Sequence, residues 1–169
     1  MKWRLMVWGM LVLLIMLPRV RVTAQDTISL QWSLPLPSLK VTSGFGHRIH
    51  PVTHARDFHK GVDLSARCDP VLSVLDGTVV EIAFNPILGR YVRIDHGDFQ
   101  SVYGHLSFIL VGNNESVRAG QPIAITGATG RVTGEHLHFS IRFRGRHINP
   151  IYFLWQLQSN GQSPQINKQ

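Results

Sequence analysis

The stretch Gly134-Glu135-His136-Leu137-His138-Phe139 organises the rest of the chain. Side chains alternate between the two faces of an extended strand, so the two histidines share one face and the leucine between them points to the other. Two imidazoles on one face of a strand, with an apolar residue on the other face, can supply part of the ligand set of a metal site. His59-Lys60-Gly61-Val62-Asp63 and Tyr103-Gly104-His105 add two more imidazoles and a carboxylate. Together these stretches supply ligands for a catalytic zinc ion and leave residues for proton transfer.

Length and composition predict one domain with a short extension at each end, since the chain has 169 residues and a hydrophobic fraction of 44%. The formal net charge of +7 is largely a property of the N-terminal segment. Four of the 17 basic residues lie among the first 24 positions, which contain no acid, so 13 basic and 10 acidic residues remain. No basic run or aromatic-basic patch accompanies this small excess, and we expect no binding to nucleic acid.

The N-terminus has the pattern of an export signal. A positively charged start precedes an apolar run from Val7 to Leu17, and Val22-Thr23-Ala24 supplies compact residues before a cleavage point. The run is shorter than the roughly 20 apolar residues that span a bilayer. An uncleaved membrane anchor is the alternative, because Arg19 and Arg21 lie close to the cleavage point. We expect an exported protein, periplasmic or at the cell surface, whose only membrane contact would be an uncleaved signal segment.

The pattern after the signal predicts a mainly β fold, a single compact antiparallel β domain. We divide the chain into a signal peptide at 1–24, an extended lead-in at 25–40, the domain at 41–157 and a disordered polar tail at 158–169. The segment from Ile148 to Leu157 could form a short terminal helix or a strand.

Individual strands of this domain have predictable faces. Val92 and Ile94 should face the core, with Arg93 and Asp95 outward. In the strand before them Val80, Ile82 and Phe84 should share one face, opposite Glu81. In the strand after them Tyr103 and His105 should share a face.

A hydrolytic zinc site takes three protein ligands and a water molecule whose pKa falls to about 7 on the metal. His59, Asp63 and one histidine of the pair at 136 and 138 meet that need. The adjacent Glu135 is a poor candidate base because strand alternation points it away from the pair, so imidazoles would transfer protons. Spacing alone does not choose the ligands, because His47, His50, His54 and His59 lie within thirteen residues and each could bind metal.

Seven segments between about Thr42 and Tyr152 resemble, in order, the lysostaphin-type (LytM-type) zinc metallopeptidase domain. They are Ser43-Gly44-Phe45-Gly46-His47-Arg48-Ile49-His50-Pro51, His59-Lys60-Gly61-Val62-Asp63, Tyr103-Gly104-His105-Leu106-Ser107, Gly120-Gln121-Pro122-Ile123-Ala124, Thr126-Gly127-Ala128-Thr129-Gly130, His136-Leu137-His138-Phe139 and Asn149-Pro150. The resemblance covers roughly two thirds of the chain and implies an antiparallel β domain with an open groove. Ser140 departs from it at a position where the family often has an acid, and Cys68 at one where a small residue is common.

The resemblance also implies roles for five residues. His59, Asp63 and His138 would bind one zinc ion, and His105 and His136 would form the catalytic pair that moves protons and stabilises the tetrahedral intermediate. Which of the pair is the base stays open. Lining of the groove and a structural role are equal alternatives for Arg48 and Tyr103. The histidines outside this set are predicted to be non-ligands, namely His47, His50, His54, His96 and His147.

The function implied by the resemblance is that of an exported zinc metallo-endopeptidase. A zinc-bound water would hydrolyse peptide cross-links of bacterial peptidoglycan, with stem or cross-link peptides as substrates. The alternative is a non-catalytic LytM-type module that binds cell wall or activates another wall hydrolase. Cys68 is the only cysteine, so no intramolecular disulfide can form, and we give it no role. No separate wall-binding domain is visible, so we expect targeting to depend on an envelope protein partner.

Overall fold

The computed structural model describes residues 31–49 and 54–159. The predicted signal peptide and residues 160–169 of the predicted tail lie outside the described residues. The elements are β1 Val41–Ser43, β2 Gly46–Ile49, β3 Arg56–His59, β4 Val62–Ser65, β5 Pro70–Leu72, β6 Gly77–Asn85, β7 Gly89–Asp95, β8 Phe99–Leu106, β9 Phe108–Ile109, β10 Ser116–Val117, β11 Pro122–Ile125, β12 His136–Phe143, β13 Arg146–Ile148 and α1 Pro150–Ser159.

Three antiparallel sheets make up the described fold, and the mainly β prediction is confirmed. The main sheet has the strand order β1-β4-β12-β8-β7-β6-β10, and β13 pairs with β12 beside this path. A small sheet joins β5, β11 and β9, and β2 pairs with β3 in a separate hairpin. The main sheet therefore places β12 between β4 and β8, where three of the predicted site segments meet.

One face of the main sheet packs in the hydrophobic core, and the other lines a groove. Leu137, Phe139 and Ile141 of β12 are fully buried in the hydrophobic core. The residues between them face a groove on the other side of the sheet. Val92 and Ile94 are also fully buried, as the alternation in β7 predicts. Regular alternation thus puts the histidines of β12 over a rigid apolar layer.

The segment from residue 31 to residue 40 belongs to the packed structure and is more than a lead-in. Trp32 and Leu36 are 2% and 1% exposed and lie in the core cluster. Ser33 N donates to Val74 O at 2.9 Å, and Leu72 N donates to Pro35 O at 3.0 Å. Burial of these apolar side chains ties the segment to β5.

Strand β6 does not follow simple alternation. Val79 pairs with Ile94 and Glu81 with Arg93, so β6 holds one extra residue between these pairs. The bulge leaves Val79 fully buried, whereas Val80 is 42% exposed. The predicted apolar face of this strand is therefore wrong at Val80, and Phe84 is also exposed.

Most of the segment from Ile148 to Leu157 is helical, which resolves the helix-or-strand alternative: Ile148 ends β13, and α1 runs from Pro150 to Ser159. The side chain of Asn149 caps it by accepting a hydrogen bond from Ile151 N at 3.0 Å. Phe153 and Leu154 of α1 are buried in the core. Within residues 31–49 and 54–159, no helix is long and apolar enough to cross a bilayer.

Candidate metal centre

Three predicted ligands from three strands meet at the groove. His59 ends β3, Asp63 lies in β4, and His138 lies in β12 directly opposite Asp63. His59 Nε2 is 3.2 Å from Asp63 Oδ1 and 3.2 Å from His138 Nδ1. His138 Nδ1 is 3.0 Å from Asp63 Oδ1. The three potential ligand atoms form a nearly equilateral triangle.

This triangle has the size that a zinc ion requires. A tetrahedral zinc with ligand bonds of about 2.0–2.1 Å separates neighbouring ligand atoms by about 3.3 Å. The observed sides of 3.0–3.2 Å are close to that value. Two imidazoles and one carboxylate are also a donor set that zinc prefers, and three protein ligands would leave a fourth coordination position for water. His59, Asp63 and His138 therefore fit one zinc ion.

Neighbouring groups orient the first two ligands. His59 Nδ1 donates to Gly44 O at 2.8 Å, which leaves Nε2 as the lone-pair nitrogen. Arg48 Nη1 lies 3.1 Å from Asp63 Oδ2, so Oδ1 is the oxygen that faces the two histidines. Arg48 Nη1 also contacts Ser43 Oγ. These bonds fix the ring of His59 and the carboxylate plane of Asp63.

Close packing holds the third ligand. A Cβ atom built on Gly61 would lie 2.8 Å from Cε1 and Nε2 of His138 and 2.5 Å from Phe139 O. The imidazole of His138 therefore rests against the Gly61 backbone, where no side chain fits.

Protonation favours a ligating state at this centre. Burial raises the pKa of Asp63, but the hydrogen bonds and charges of His138 and His59 outweigh it, and the net effect lowers this pKa below 3.8. Burial lowers the pKa of His138, against the opposing effect of Asp63. An ionised carboxylate beside a neutral imidazole is the state in which both bind metal.

His105 reaches the groove through a backbone irregularity. Arg90 pairs with Leu106 and Val92 with Tyr103, so β8 has one residue more than β7 between these pairs. His105 lies in this bulge with a φ of 64°, in the left-handed region. The predicted common face of Tyr103 and His105 is therefore wrong, because the bulge turns His105 into the groove. Tyr103 stays in the core, where its hydroxyl accepts from Val74 N at 3.0 Å.

His105 and His136 flank the metal triangle on the same side. Their ring centroids are 4.6 Å apart, and His136 Nε2 is 3.7 Å from Asp63 Oδ1. His105 Nδ1 donates to Thr129 O, and His136 Nδ1 donates to Gly134 O, both at 2.8 Å. Both rings therefore keep Nε2 for other partners.

The electrostatic environment keeps His105 neutral. Burial, followed by the nearby His136 and His138, lowers the pKa of His105 to about 4, against the opposing effects of its hydrogen bond to Thr129 O and of the Asp63 charge. An imidazole with this pKa is a proton acceptor at neutral pH.

The groove itself has a volume of about 1100 Å³. The hairpin β2–β3 contributes Arg48, Ile49 and Phe58 to its lining, and the loops 85–88 and 131–134 contribute further residues. Arg48 thus lines the groove and also has a structural role. Tyr103 is fully buried, so its structural alternative is the correct one.

The remaining titratable groups lie apart from the triangle or point elsewhere. Glu135 accepts hydrogen bonds from Cys68 N and, at 3.0 Å, from Thr126 Oγ1, which occupies it away from the metal ligands. Cys68 is exposed, contrary to the buried environment typical of a lone cysteine. Among the described residues, the one group of acids, histidines or cysteines close enough to hold an ion is His59, Asp63 and His138. His50 lies outside the described residues.

Sequence reasoning missed the groups that orient the imidazoles. The carbonyl oxygens of Gly44, Thr129 and Gly134 hold His59, His105 and His136. A backbone carbonyl has no side-chain signature, so no motif could have identified these three positions. In the sequence Gly61 is one residue of the His59–Asp63 motif, and only the structure shows that its missing side chain makes room for His138.

Comparisons with known proteins agree with this geometry. The family model described as peptidase family M23 matches residues 57–150. Peptidoglycan DD-endopeptidase ShyB of Vibrio cholerae serotype O1 is 42% identical over 115 residues, which are 66% of this chain and 27% of that relative. The chain thus spans only 27% of the length of this relative.

Solved structures have the same fold. A zinc-containing peptidase from Vibrio cholerae superposes with a TM-score of 0.66 at 38% identity, covering 70% of this chain and 39% of that chain. The catalytic domain of the antimicrobial peptidase lysostaphin from Staphylococcus simulans has a TM-score of 0.63 at 28% identity, covering 69% of this chain and 92% of that chain. The predicted resemblance is therefore confirmed, and the chain belongs to peptidase family M23.

Proposed function

We propose that this protein is a zinc metallo-endopeptidase that cleaves peptide cross-links of bacterial peptidoglycan. One observation carries the proposal: a zinc-sized triangle of His59, Asp63 and His138 lies in a groove beside two further imidazoles with free Nε2 atoms. A structural zinc site would be closed by a fourth ligand and would not need the second pair. The name of the relative ShyB, a peptidoglycan DD-endopeptidase, supports the substrate class.

The residues of the chain divide the work of hydrolysis. A zinc ion held by His59, Asp63 and His138 would polarise a peptide carbonyl and lower the pKa of water. His105 donates from Nδ1 to Thr129 O and stays unprotonated at neutral pH, so its Nε2 is placed to accept a proton in the groove. His136 Nε2 lies closer to the metal ligands, 3.7 Å from Asp63 Oδ1, and, once protonated at Nε2, His136 would donate a hydrogen bond to the developing oxyanion.

The groove suits an extended, partly apolar peptide. Ile49, Phe58 and Ile87 of its walls are 59%, 38% and 56% exposed. Exposed apolar side chains around a polar floor are typical of a binding site for a partly apolar chain. The floor is the face of β12 that carries His136 and His138, so a bound peptide would cross the metal centre.

Digestion of purified peptidoglycan tests the proposal, with mass spectrometry of the released muropeptides. The zinc-loaded wild type should convert cross-linked dimers into monomers. His138→Ala should lose both zinc and cleavage, and His105→Ala should keep zinc and lose cleavage. His54→Ala, an exposed histidine outside the groove lining, is the matched control and should keep both.

A protein that binds zinc stoichiometrically but leaves every cross-link intact contradicts the enzymatic proposal. If His138→Ala then still binds cell wall, or still activates another wall hydrolase, the result supports the alternative of a non-catalytic module.

The substrate also sets the proposed compartment. Peptidoglycan lies outside the cytoplasm, so we place the protein in the periplasm or at the cell surface, reached through the predicted signal segment at 1–24. Fractionation of cells that produce the full chain, with N-terminal sequencing of the exported form, tests both export and the cleavage point. An envelope protein partner stays a prediction of the sequence.

A further inference from the structure

We propose that Lys60, Arg142 and His147 form a carboxylate-binding subsite of the groove, which recognises a free carboxylate of the substrate peptide near the bond to be cut. This inference deepens the proposed function and rests on it, because the carboxylate belongs to the peptide that crosses the metal centre. None of the three residues ligates the metal or belongs to the catalytic pair.

The subsite lies at one end of the groove floor. His138, Ser140 and Arg142 follow each other on the same face of β12, and Arg142 pairs with His147 of β13. Lys60 lies in the turn between β3 and β4, next to the ligand His59. All of them line the same groove. Ser140 is about 7 Å along the strand from His138, the length of roughly two residues of an extended peptide.

Arg142 lacks the partner that comparable arginines have. Three arginines have a buried Nε without a hydrogen-bond partner among the described residues, namely Arg48, Arg93 and Arg142. Arg48 pairs with Asp63 at 3.1 Å and Arg93 with Glu81 at 2.7 Å. For Arg142 the described residues provide no ion pair at all. A half-buried guanidinium without an anion is costly, so its retention in a groove points to an anion supplied by a ligand.

The imidazole of His147 and the ammonium group of Lys60 belong to the same groove lining as Arg142. His147 Nδ1 lies 3.1 Å from Ser140 Oγ. Burial lowers the pKa of His147, and the charges of Arg142 and Lys60 lower it further, which places both cations near its ring. The acids that line the groove are engaged elsewhere: Asp63 contacts Arg48 and the histidine ligands, Asp57 accepts from Phe58 N, and Glu135 accepts from Thr126 Oγ1. Within the described part of the chain the cluster has positive charge and no carboxylate of its own.

A carboxylate is the anion that this arrangement fits. A guanidinium presents parallel N–H donors that match the two oxygens of a carboxylate, and an ammonium adds a point charge. Along β12, Ser140 lies about two residues and Arg142 about four residues beyond His138, so a peptide that ends two to three residues beyond the cut bond brings its terminal carboxylate to the cluster. The subsite would therefore select substrates by a free carboxylate and fix their register on the metal centre.

The test compares a peptide with its amide on the zinc-loaded full chain. The probes are N-acetyl-L-lysyl-D-alanyl-D-alanine with a free terminal carboxylate and the same peptide with a terminal carboxamide, titrated by ¹⁵N NMR. We expect the wild type to bind the carboxylate form at least about tenfold more tightly, as is typical of hydrogen bonds to charged groups. The Nε–H resonance of Arg142 should shift with the carboxylate form only.

Two substitutions and one control decide the outcome. Arg142→Met should reduce the preference to within about twofold, since the charged donor is gone. Ser140→Glu should do the same, because a carboxylate of the protein would then occupy Arg142. Arg146→Met is the control: this arginine is an exposed neighbour on β13 outside the groove lining, and its loss should leave the preference intact.

Equal binding of both peptides by the wild type overturns the subsite. So does a preference that persists in Arg142→Met, which would mean that the carboxylate binds the metal. Peptidoglycan digestion by the same preparations is scored separately. If digestion fails while the selective binding is present and depends on Arg142, the proposed function falls and the subsite stands. If digestion succeeds but the wild type binds both peptides equally, the subsite is overturned and the proposed function stands.

Discussion

Substitution of Gly61 by alanine should damage the metal centre without changing any ligand. The new Cβ would lie 2.8 Å from Cε1 and Nε2 of His138 and 2.5 Å from Phe139 O, whereas ordinary contacts begin at 3.4 Å. The ring of His138 must therefore move by about 0.6 Å, and the backbone oxygen by about 0.9 Å. Phe139 pairs with Val62 in the sheet, so its carbonyl yields little; residue 61 must then shift as well, and the ring of His138 is displaced with it.

This displacement is large on the scale that a zinc site tolerates. Ligand distances in working sites stay within about 0.2 Å of their ideal values, so a shift of about 0.6 Å exceeds that tolerance about threefold. Changes to groups that position metal ligands typically reduce metal affinity or activity by about 10- to 100-fold. We expect a loss in that range for Gly61→Ala, measured by competition with a chromophoric zinc chelator and by the rate of cross-link cleavage.

Two matched glycines control the experiment. Gly134→Ala lies beside the site, but a Cβ there would meet nothing within 4 Å. Gly112→Ala lies outside the groove lining, and its closest contact would be Glu115 Oε2 at 3.8 Å. Both variants should bind zinc as the wild type does. Wild-type zinc affinity in Gly61→Ala, or an equal loss in Gly134→Ala, would refute the idea that the Gly61 backbone sets the position of His138.

Three further substitutions test groups that support the site or the fold. Arg48→Met removes the partner of Asp63 Oδ2, so zinc affinity should fall about tenfold in the same chelator assay; an unchanged affinity would show that the carboxylate needs no such support. Thr129→Val removes a hydroxyl that donates to Leu106 O and accepts from Arg90 N, which should shift the carbonyl that holds His105. The cleavage rate should fall about tenfold with zinc content unchanged, and Thr129→Ser should restore it. Burial lowers the pKa of His96 below 6.5, so its neutral form stabilises the fold above pH 6.5 and this contribution is lost as the pH falls below that value. Urea unfolding at about pH 7.5 and about pH 5 should therefore show a smaller acid-induced loss of stability in His96→Asn than in the wild type, and equal losses would contradict the assignment.

Regular strands made much of this fold predictable. Alternation in β12 correctly put Leu137 in the core and the two histidines on the groove face, and alternation in β7 correctly buried Val92 and Ile94. These strands lie inside the main sheet and pair with a neighbour on both sides. Their register is therefore fixed, and it determines which face of the sheet each side chain lies on.

The failures coincide with bulges. An extra residue in β6 exposes Val80, and another in β8 separates His105 from Tyr103. A bulge depends on how many residues the partner strand places opposite, which is a property of two segments and not of either alone. The error at His105 is instructive, because simple alternation would bury this imidazole in the core beside Tyr103. The irregular backbone is therefore what makes His105 available to the groove.

The metal ligands also connect the β2–β3 hairpin to the main sheet. Asp63 and His138 lie opposite each other on paired strands, so the sheet ladder alone brings them together. His59 belongs to the hairpin β2–β3, which forms no ladder with the main sheet. Besides the two-residue connections to β1 and β4, polar contacts join it to the sheet: Arg48 with Asp63, and His59 with both other ligands. A cation shared by the three ligands would thus clamp the hairpin, and with it one wall of the groove, onto the sheet.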